Sequence, residues 1–199
     1  MNIPIEEIIE KSGLPPFKVK NIYLYGSRIY GTYHDDSDYD FIVIANNILE
    51  AQEIKREHLN IHIHIPEKFR KDLFDHDIHA LECIFAPDHA KIKETIFYKD
   101  FKIKPQILSY KLYSQSFNSF KKAKESINKA SYYIGLKSLW HSLRILIFGI
   151  QIKEYGKIIN FSEANSLYDE ILNSDFGDWG YYKEKYLPIK IELEKKLKN

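Results

Sequence analysis

Asp38 and Asp40 stand two residues apart directly before the apolar run Phe41-Ile42-Val43-Ile44, and ten residues separate Asp38 from a Gly26-Ser27 pair. If the two aspartates open a strand, its period of two puts both side chains on one face, their Cα atoms about 6–7 Å apart. Carboxylates so placed converge on hard cations. Mg²⁺ takes one or two carboxylates and completes its shell with phosphate oxygens. Two such ions, about 3.5–4 Å apart, stabilise the attacking and leaving oxygens of an in-line displacement. The Gly-Ser pair supplies the complementary half. Glycine lets the backbone approach a triphosphate, and N–H groups at a following helix start can hold its oxygens. Ser27 adds a hydroxyl donor and Arg28 a charge that offsets phosphate. A D-x-D pair alone, or a Gly-Ser turn alone, is usually a surface turn; the ordered conjunction is much more specific. Asp35 and Asp36 fall before the strand and keep the loop solvated.

Those residues need elements to hold them. Val19–Tyr25 alternates and is rich in β-formers, so it reads as a strand ending at Gly26. Ser27–Thr32 reads as a short helical turn, and Tyr39–Ala45 as a second, central strand. Residues 47–58 are ambiguous, with a helix slightly favoured. Leu59–Ile65 is the cleanest alternation in the chain, with Ile61, Ile63 and Ile65 on one side and Asn60, His62 and His64 on the other. Pro66 ends it and opens a helix over Glu67–Phe74. A short helix is expected over Asp77–Phe85. Ahead of these, Ile5, Ile8 and Ile9 sit at helical spacing and Gly13 suits the residue after a helix end. Beyond Pro105 strand signals vanish. Two long amphipathic helices are expected, over 107–128 and 130–152, then a helix capped by Ser162 and a final one kinked or broken near Pro188. The shift near residue 100 divides the chain into a mixed part, 1–100, and a helical part, 101–199.

The stretch Gly26–Ile44 resembles the nucleotidyltransferase superfamily that includes DNA polymerase β, whose small members carry G-S-x10-D-x-D. Gly26, Ser27, Asp38 and Asp40 fit that spacing. Within the superfamily the stretch looks most like predicted nucleotidyltransferases of the RlaP type, with G-S-R-x-x-G followed by S-D-x-D. Glu67–Phe85 resembles their segment after the third strand. Lys137, His141 and Arg144 resemble their Lys…His-x-x-Arg helix. The resemblance implies an α+β nucleotidyltransferase fold with a C-terminal helical region. It also implies transfer of NMP from an NTP to a hydroxyl with loss of pyrophosphate, and Mg²⁺ or Mn²⁺ as the cofactor. Asp38 and Asp40 would bind metal, and Gly26, Ser27 and Arg28 the nucleotide. Lys137, His141 and Arg144, at i, i+4 and i+7, share a helix face and could meet triphosphate or acceptor; on spacing alone they are as readily a solvated face.

One part of the pattern is missing. The superfamily normally places a third carboxylate, a metal ligand or general base, on a neighbouring strand. Here that strand is Leu59–Ile65, and the position falls on Asn60, or alternatively His62. Three readings stay open. His62 replaces the acid, as proton acceptor or metal ligand; the acid comes from elsewhere, Glu82 or Glu67; or the chain is a catalytically impaired nucleotide-binding or regulatory, antitoxin-like module. A separate histidine metal site of His58, His62 and His64 is a weaker fourth. His76, His79 and His89 read as surface or capping residues.

The bulk properties bound the rest. A chain of 199 residues buries a sizeable core. Its formal net charge of +1 announces no nucleic-acid or membrane partner. Seven acids against Lys55 and Arg56 crowd residues 31–60, and eight lysines against Asp100 and Glu125 crowd 99–129. These are either solvated faces or opposed walls of a cleft. Lys121, Lys122 and Lys124 interleave with Phe117 and Phe120, an RNA-binding pattern that an exposed helix face explains more readily. The single cysteine, Cys83, excludes an internal disulfide framework and reads as an inert buried thiol. No signal-peptide core and no 18-residue apolar run is present, so a cytoplasmic protein is expected. The acceptor, whether RNA, protein or small molecule, is not encoded in any motif.

Overall fold

In the computed structural model, residues 3–174 and 177–199 are described. The chain forms two compact units, residues 1–102 and 103–199.

The first unit is a five-stranded sheet with helices. Its elements are α1 (Ile5–Lys11), β1 (Val19–Tyr25), α2 (Ser27–Tyr30), β2 (Tyr39–Ala45), β3 (Gln52–Arg56), β4 (Leu59–His64), α3 (Pro66–Phe74), α4 (Ile78–Phe85) and β5 (Lys91–Glu94). The strand order is β3-β4-β2-β1-β5. β2 is thus the central strand. It runs antiparallel to β1 and parallel to β4, and its last five residues are buried. The register sets the face that matters. Tyr25 lies opposite Asp40 and Tyr23 opposite Ile42. Asp40 lies beside Asn60, Ile42 beside His62 and Ile44 beside His64. Cross-strand partners share a face, so Tyr25, Asp40, Asn60 and His62 project to one side. The alternation in β4 is as expected, Leu59, Ile61 and Ile63 being buried and the polar residues half-buried. Phe69 of α3 covers the inner part of the polar-bearing face, its ring centroid 6.1 Å from Tyr23 and 6.3 Å from His64.

Residues 47–58 correct the expectation of a helix. Gln52–Arg56 forms the edge strand β3, antiparallel to β4, and Glu57 turns at φ +51°. This strand buries almost nothing, so it lacks the apolar alternation that reveals a strand in sequence. The four-residue β5 on the opposite edge is equally polar, and no apolar alternation marks it in the sequence.

The second unit is helical: α5 (Pro105–Asn128), α6 (Tyr132–Tyr155), α7 (Asn165–Leu172) and α8 (Trp179–Lys198). Helix α6 is its core element, with Leu139, Leu143 and Leu146 fully buried, and Gly156 ends it in the left-handed conformation. Two boundaries differ from expectation. Ser162 does not cap α7, which starts three residues later; the Ser162 hydroxyl donates instead to Asn160 Oδ1 at 2.8 Å. α8 continues through Pro188 as one helix. Among the described residues no helix is long and apolar enough to cross a membrane.

Candidate functional site

The site is built where β1 ends, α2 begins and β2 and β4 start. Gly26 leaves β1 at φ +79°, ψ −153°, a backbone conformation open essentially to glycine alone. It also closes against the central strand. A Cβ added at Gly26 would overlap Asp40 Oδ2 and lie 3.1 Å from its Cγ. The Gly-Ser turn and the second aspartate are therefore in direct contact. Ile29 and Tyr30 N–H groups donate to Gly26 O at 3.1 and 3.2 Å. The N–H groups of Ser27 and Arg28, as at any helix start, have no intrahelical acceptor.

Asp38 is exposed one residue ahead of β2, and Asp40 is half-buried as the second residue of that strand. Arg28 holds the approach to them. Its guanidinium donates to Ser37 O at 2.6 Å and to Asp38 O at 3.4 Å and lies 3.5 Å from the Tyr39 ring centroid. Arg28 thus ties down the loop that delivers Asp38. Asp38 and Arg28 share a solvent-facing cavity of about 630 Å³ with Asp35, Asp36 and Tyr33.

Beside Asp40, Asn60 donates from Nδ2 to Asp40 Oδ1 at 2.9 Å. That bond fixes the amide's orientation, because the flipped amide would set oxygen against oxygen. Asn60 Oδ1 is then a buried acceptor without a hydrogen-bond partner. Such atoms are uncommon, and each calls for a local strain, a water or an ion to explain it. His62 follows on the same face. Burial pushes its imidazole below the ordinary value of 6.5, against the opposing pull of Glu53 and Asp40. Its ring meets Tyr25 edge-on at 5.7 Å. Burial also lowers His64 and raises the Tyr25 phenol, the latter with a further push from Asp40.

Glu82, one alternative source of a third acid, is fully buried in α4 and accepts from Tyr30 Oη at 2.6 Å. Glu67 is exposed in the first turn of α3. His58 stacks edge-on with Tyr39 at 6.1 Å. Among the described residues no three His, Cys, Asp or Glu side chains gather into a metal cage. His76 is buried rather than exposed, its Nδ1 3.0 Å from Phe74 O. Cys83 is fully buried and its thiol is pushed up by that burial, as an inert thiol should be.

Lys137, His141 and Arg144 lie on α6 in the helical unit. Arg144 is fully buried, its Nη2 2.9 Å from His141 Nδ1 and its guanidinium 5.2 Å from the rings of Trp140 and Phe148. Lys137 Nζ sits 5.3 Å from the Tyr133 ring centroid. Of the aromatics near Lys121, Phe120 packs on Trp179 at 5.0 Å while Phe117 is exposed.

A cavity that sequence reasoning missed opens on the same sheet face. It holds about 320 Å³ and lies between Tyr25, His62 and His64 of the sheet, Phe69 of α3 and His79 of α4. Only the helix placement reveals it, because its far wall comes from residues whose individual roles are capping and packing.

The chain belongs to the nucleotidyltransferase domain family, whose model matches residues 5–105. The fold is the α+β nucleotidyltransferase type, a mixed five-stranded sheet with flanking helices and a C-terminal helical region. Among solved structures the chain is similar to spectinomycin adenyltransferase AAD(9) from Enterococcus faecialis, crystallised with ATP and spectinomycin. That match has 13% identity, covers 98% of this chain and 97% of the other, and has a TM-score of 0.52. A nucleotidyltransferase-like protein from Exiguobacterium sibiricum matches at 15% identity over 96% of this chain and 72% of its own, with a TM-score of 0.36. No curated protein matches the chain.

Proposed function

We propose that the protein is a metal-dependent nucleotidyltransferase that moves NMP from an NTP to an acceptor hydroxyl and releases pyrophosphate. The observation that carries this is the contact of the Gly26 turn with the Asp40 carboxylate, flanked by the partnerless Asn60 Oδ1. It joins a phosphate-binding backbone, a metal-binding carboxylate and a spare oxygen ligand at one point. The donor set fits a hard cation. Asp38, Asp40 and Asn60 Oδ1 are all oxygen donors, and two carboxylates suffice for Mg²⁺ or Mn²⁺ when phosphates complete the shell. Bound there, the ion would offset charge on the reacting phosphoryl group.

The remaining roles follow from the chain itself. Gly26 and Ser27 hold the β- and γ-phosphates through backbone N–H groups and the Ser27 hydroxyl. Arg28 keeps Asp38 in place through Ser37 and Asp38 carbonyls. His62, neutral at pH 7 because burial lowers its affinity for protons, accepts the hydroxyl proton. Catalysis lies within residues 1–100. The G-S-R-x-x-G and S-D-x-D spacing supports an RlaP-type relative.

A second reading has its own observation. The position level with Asp40 on β4 is Asn60, not an acid, which suits a nucleotide-binding regulatory or antitoxin-like module with impaired catalysis. Incubation with each α-labelled NTP, Mg²⁺ or Mn²⁺, and pools of RNA, protein and small metabolites separates the two. Transfer of label that Asp38→Asn abolishes is the expected result. Binding without transfer in either metal favours the regulatory module.

A further inference from the structure

Strand β3 ends the sheet on one side, and among the described residues β4 is its only strand partner. Its other side is an open edge. The hairpin register fixes which residues of β3 serve that edge. Glu57 and His58 form a two-residue turn that joins Arg56 to its cross-strand partner Leu59. The pair closing such a turn is hydrogen-bonded, and bonded and non-bonded pairs alternate along an antiparallel ladder. Arg56, Ile54 and Gln52 therefore spend their N–H and C=O groups on β4. Glu53 and Lys55 direct theirs outward, where water or another strand takes them.

The side chains at this edge are complementary to themselves. Glu53 and Lys55 share one face by the period of two, both exposed, and within the chain their charges lie 3.2 Å apart. A second copy laid antiparallel on β3, about a twofold axis at Ile54, sets Glu53 opposite Lys55 of that copy and Lys55 opposite its Glu53. Gln52 falls opposite Arg56. The members of each charged pair are also the outward-facing residues, so the same register pairs their backbone groups. Neighbouring registers fail. An axis at Glu53 or at Lys55 sets like charges together, and an axis between residues sets an outward-facing residue against an inward-facing one. A lone lysine blunts an edge strand against pairing. A lysine and an acid placed symmetrically about an isoleucine instead select a copy of themselves, as an isologous interface requires.

We infer that the partner of this edge is a second copy of the chain, and that two copies form a twofold dimer in which their five-stranded sheets join through β3 into one continuous sheet. Five residues a side bury little surface, so the dimer is reversible and its population grows with protein concentration. The joint borders the candidate site. Lys55 lies level with Asn60, Asn60 with Asp40, and Glu53 with His62. Glu53 of the second copy thus continues the row Asp40, Asn60, Lys55. The inference uses the sheet edge alone, so it stands apart from the nucleotidyl-transfer reading.

Sedimentation velocity of the whole protein over a concentration series tests it. The wild type should pass from monomer to dimer as concentration rises. Glu53→Lys leaves only cations at these two positions and Lys55→Glu only anions, so each variant alone should raise the dissociation constant at least about tenfold. Mixed in equal amounts, the two variants complement one another and should dimerise within about threefold of the wild-type constant. That recovery also shows both variants to be folded. Cross-linking checks the register. The non-bonded pair at Ile54 brings Cα atoms to about 4.5 Å, within disulfide range. Ile54→Cys should therefore join two copies on mild oxidation, and Gln52→Cys, well off the axis, should not. Cys83 is fully buried and does not compete. A wild type that stays monomeric up to its solubility limit would overturn the inference. So would a dimer indifferent to both charge reversals, a mixture that does not recover, or cross-linking through Gln52→Cys rather than Ile54→Cys.

Discussion

Gly26→Ala tests the joint between the phosphate turn and the metal strand. The wild-type backbone at φ +79°, ψ −153° lies in a region that costs a non-glycine residue about 1–3 kcal/mol. The new Cβ would also overlap Asp40 Oδ2. Asp40 must then swing away and give up the 2.9 Å bond from Asn60, a further loss of about 0.5–1.5 kcal/mol. The expected destabilisation of the sheet unit is about 2–4 kcal/mol. Turnover should fall roughly 10²-fold, the usual effect of a 1 Å misplacement at a reacting centre. Gly13→Ala is the control: Gly13 has φ +68° with nothing within 4 Å of an added Cβ, so only the backbone cost of about 1–2 kcal/mol applies. Both tryptophans, Trp140 and Trp179, lie in the helical unit, so their fluorescence would report the wrong part of the chain. Amide hydrogen exchange of Ile42 and Val43 reads the sheet directly. Equal losses of stability in the two variants, with NTP turnover preserved in Gly26→Ala, would refute the reasoning.

Three further outcomes are expected. Arg28→Ala should weaken the apparent Mn²⁺ affinity and cost about 1.5–3 kcal/mol of charge-assisted hydrogen bonding, and Arg28→Lys should not restore it, since one ammonium cannot both stack on Tyr39 and reach two carbonyls; Mn²⁺ titration of activity checks this. Asn60→Asp should lower the metal concentration needed for half-maximal rate while destabilising the metal-free protein, because a carboxylate replaces an amide beside Asp40; paired metal titrations and urea melts read both signs. For His62 and His64, burial favours the neutral ring, so the unfolded chain binds more protons than the native one and stability rises with pH. Their contribution is intact above about pH 6.5 and is lost as pH falls through the lowered native values; urea midpoints at several pH values should show that slope shrinking in the His62→Gln, His64→Gln double variant.

The parts of the fold that bury apolar surface were legible in the sequence. β2 and β4 carry their burial pattern in their residues, and the Gly26–Asp40 spacing marks a candidate site whose Gly26 and Asp40 the fold brings into contact. β3 and β5 escaped because edge strands are specified by the backbone hydrogen bonds they complete, and neither buries a side-chain stripe. Ser162 misled because a good capping residue caps only if the backbone turns there, and Asn160 takes its hydroxyl instead. Asn60 stands level with Asp40 on β4, but its amide bond and its partnerless oxygen are tertiary facts. The cavity was invisible for the same reason: Phe69, His79 and Ala80 come from helices whose packing onto the sheet no local pattern encodes.

The most direct test of the metal and nucleotide assignment is anomalous diffraction from crystals grown with Mn²⁺ and α,β-methylene-ATP. The account predicts manganese bound by Asp38 and Asp40 and contacted by Asn60 Oδ1, with the outer phosphates at the Gly26 and Ser27 N–H groups. Manganese on His62 or His64 with Asp38 and Asp40 bare, or phosphates bound away from the Gly26 turn, would contradict it.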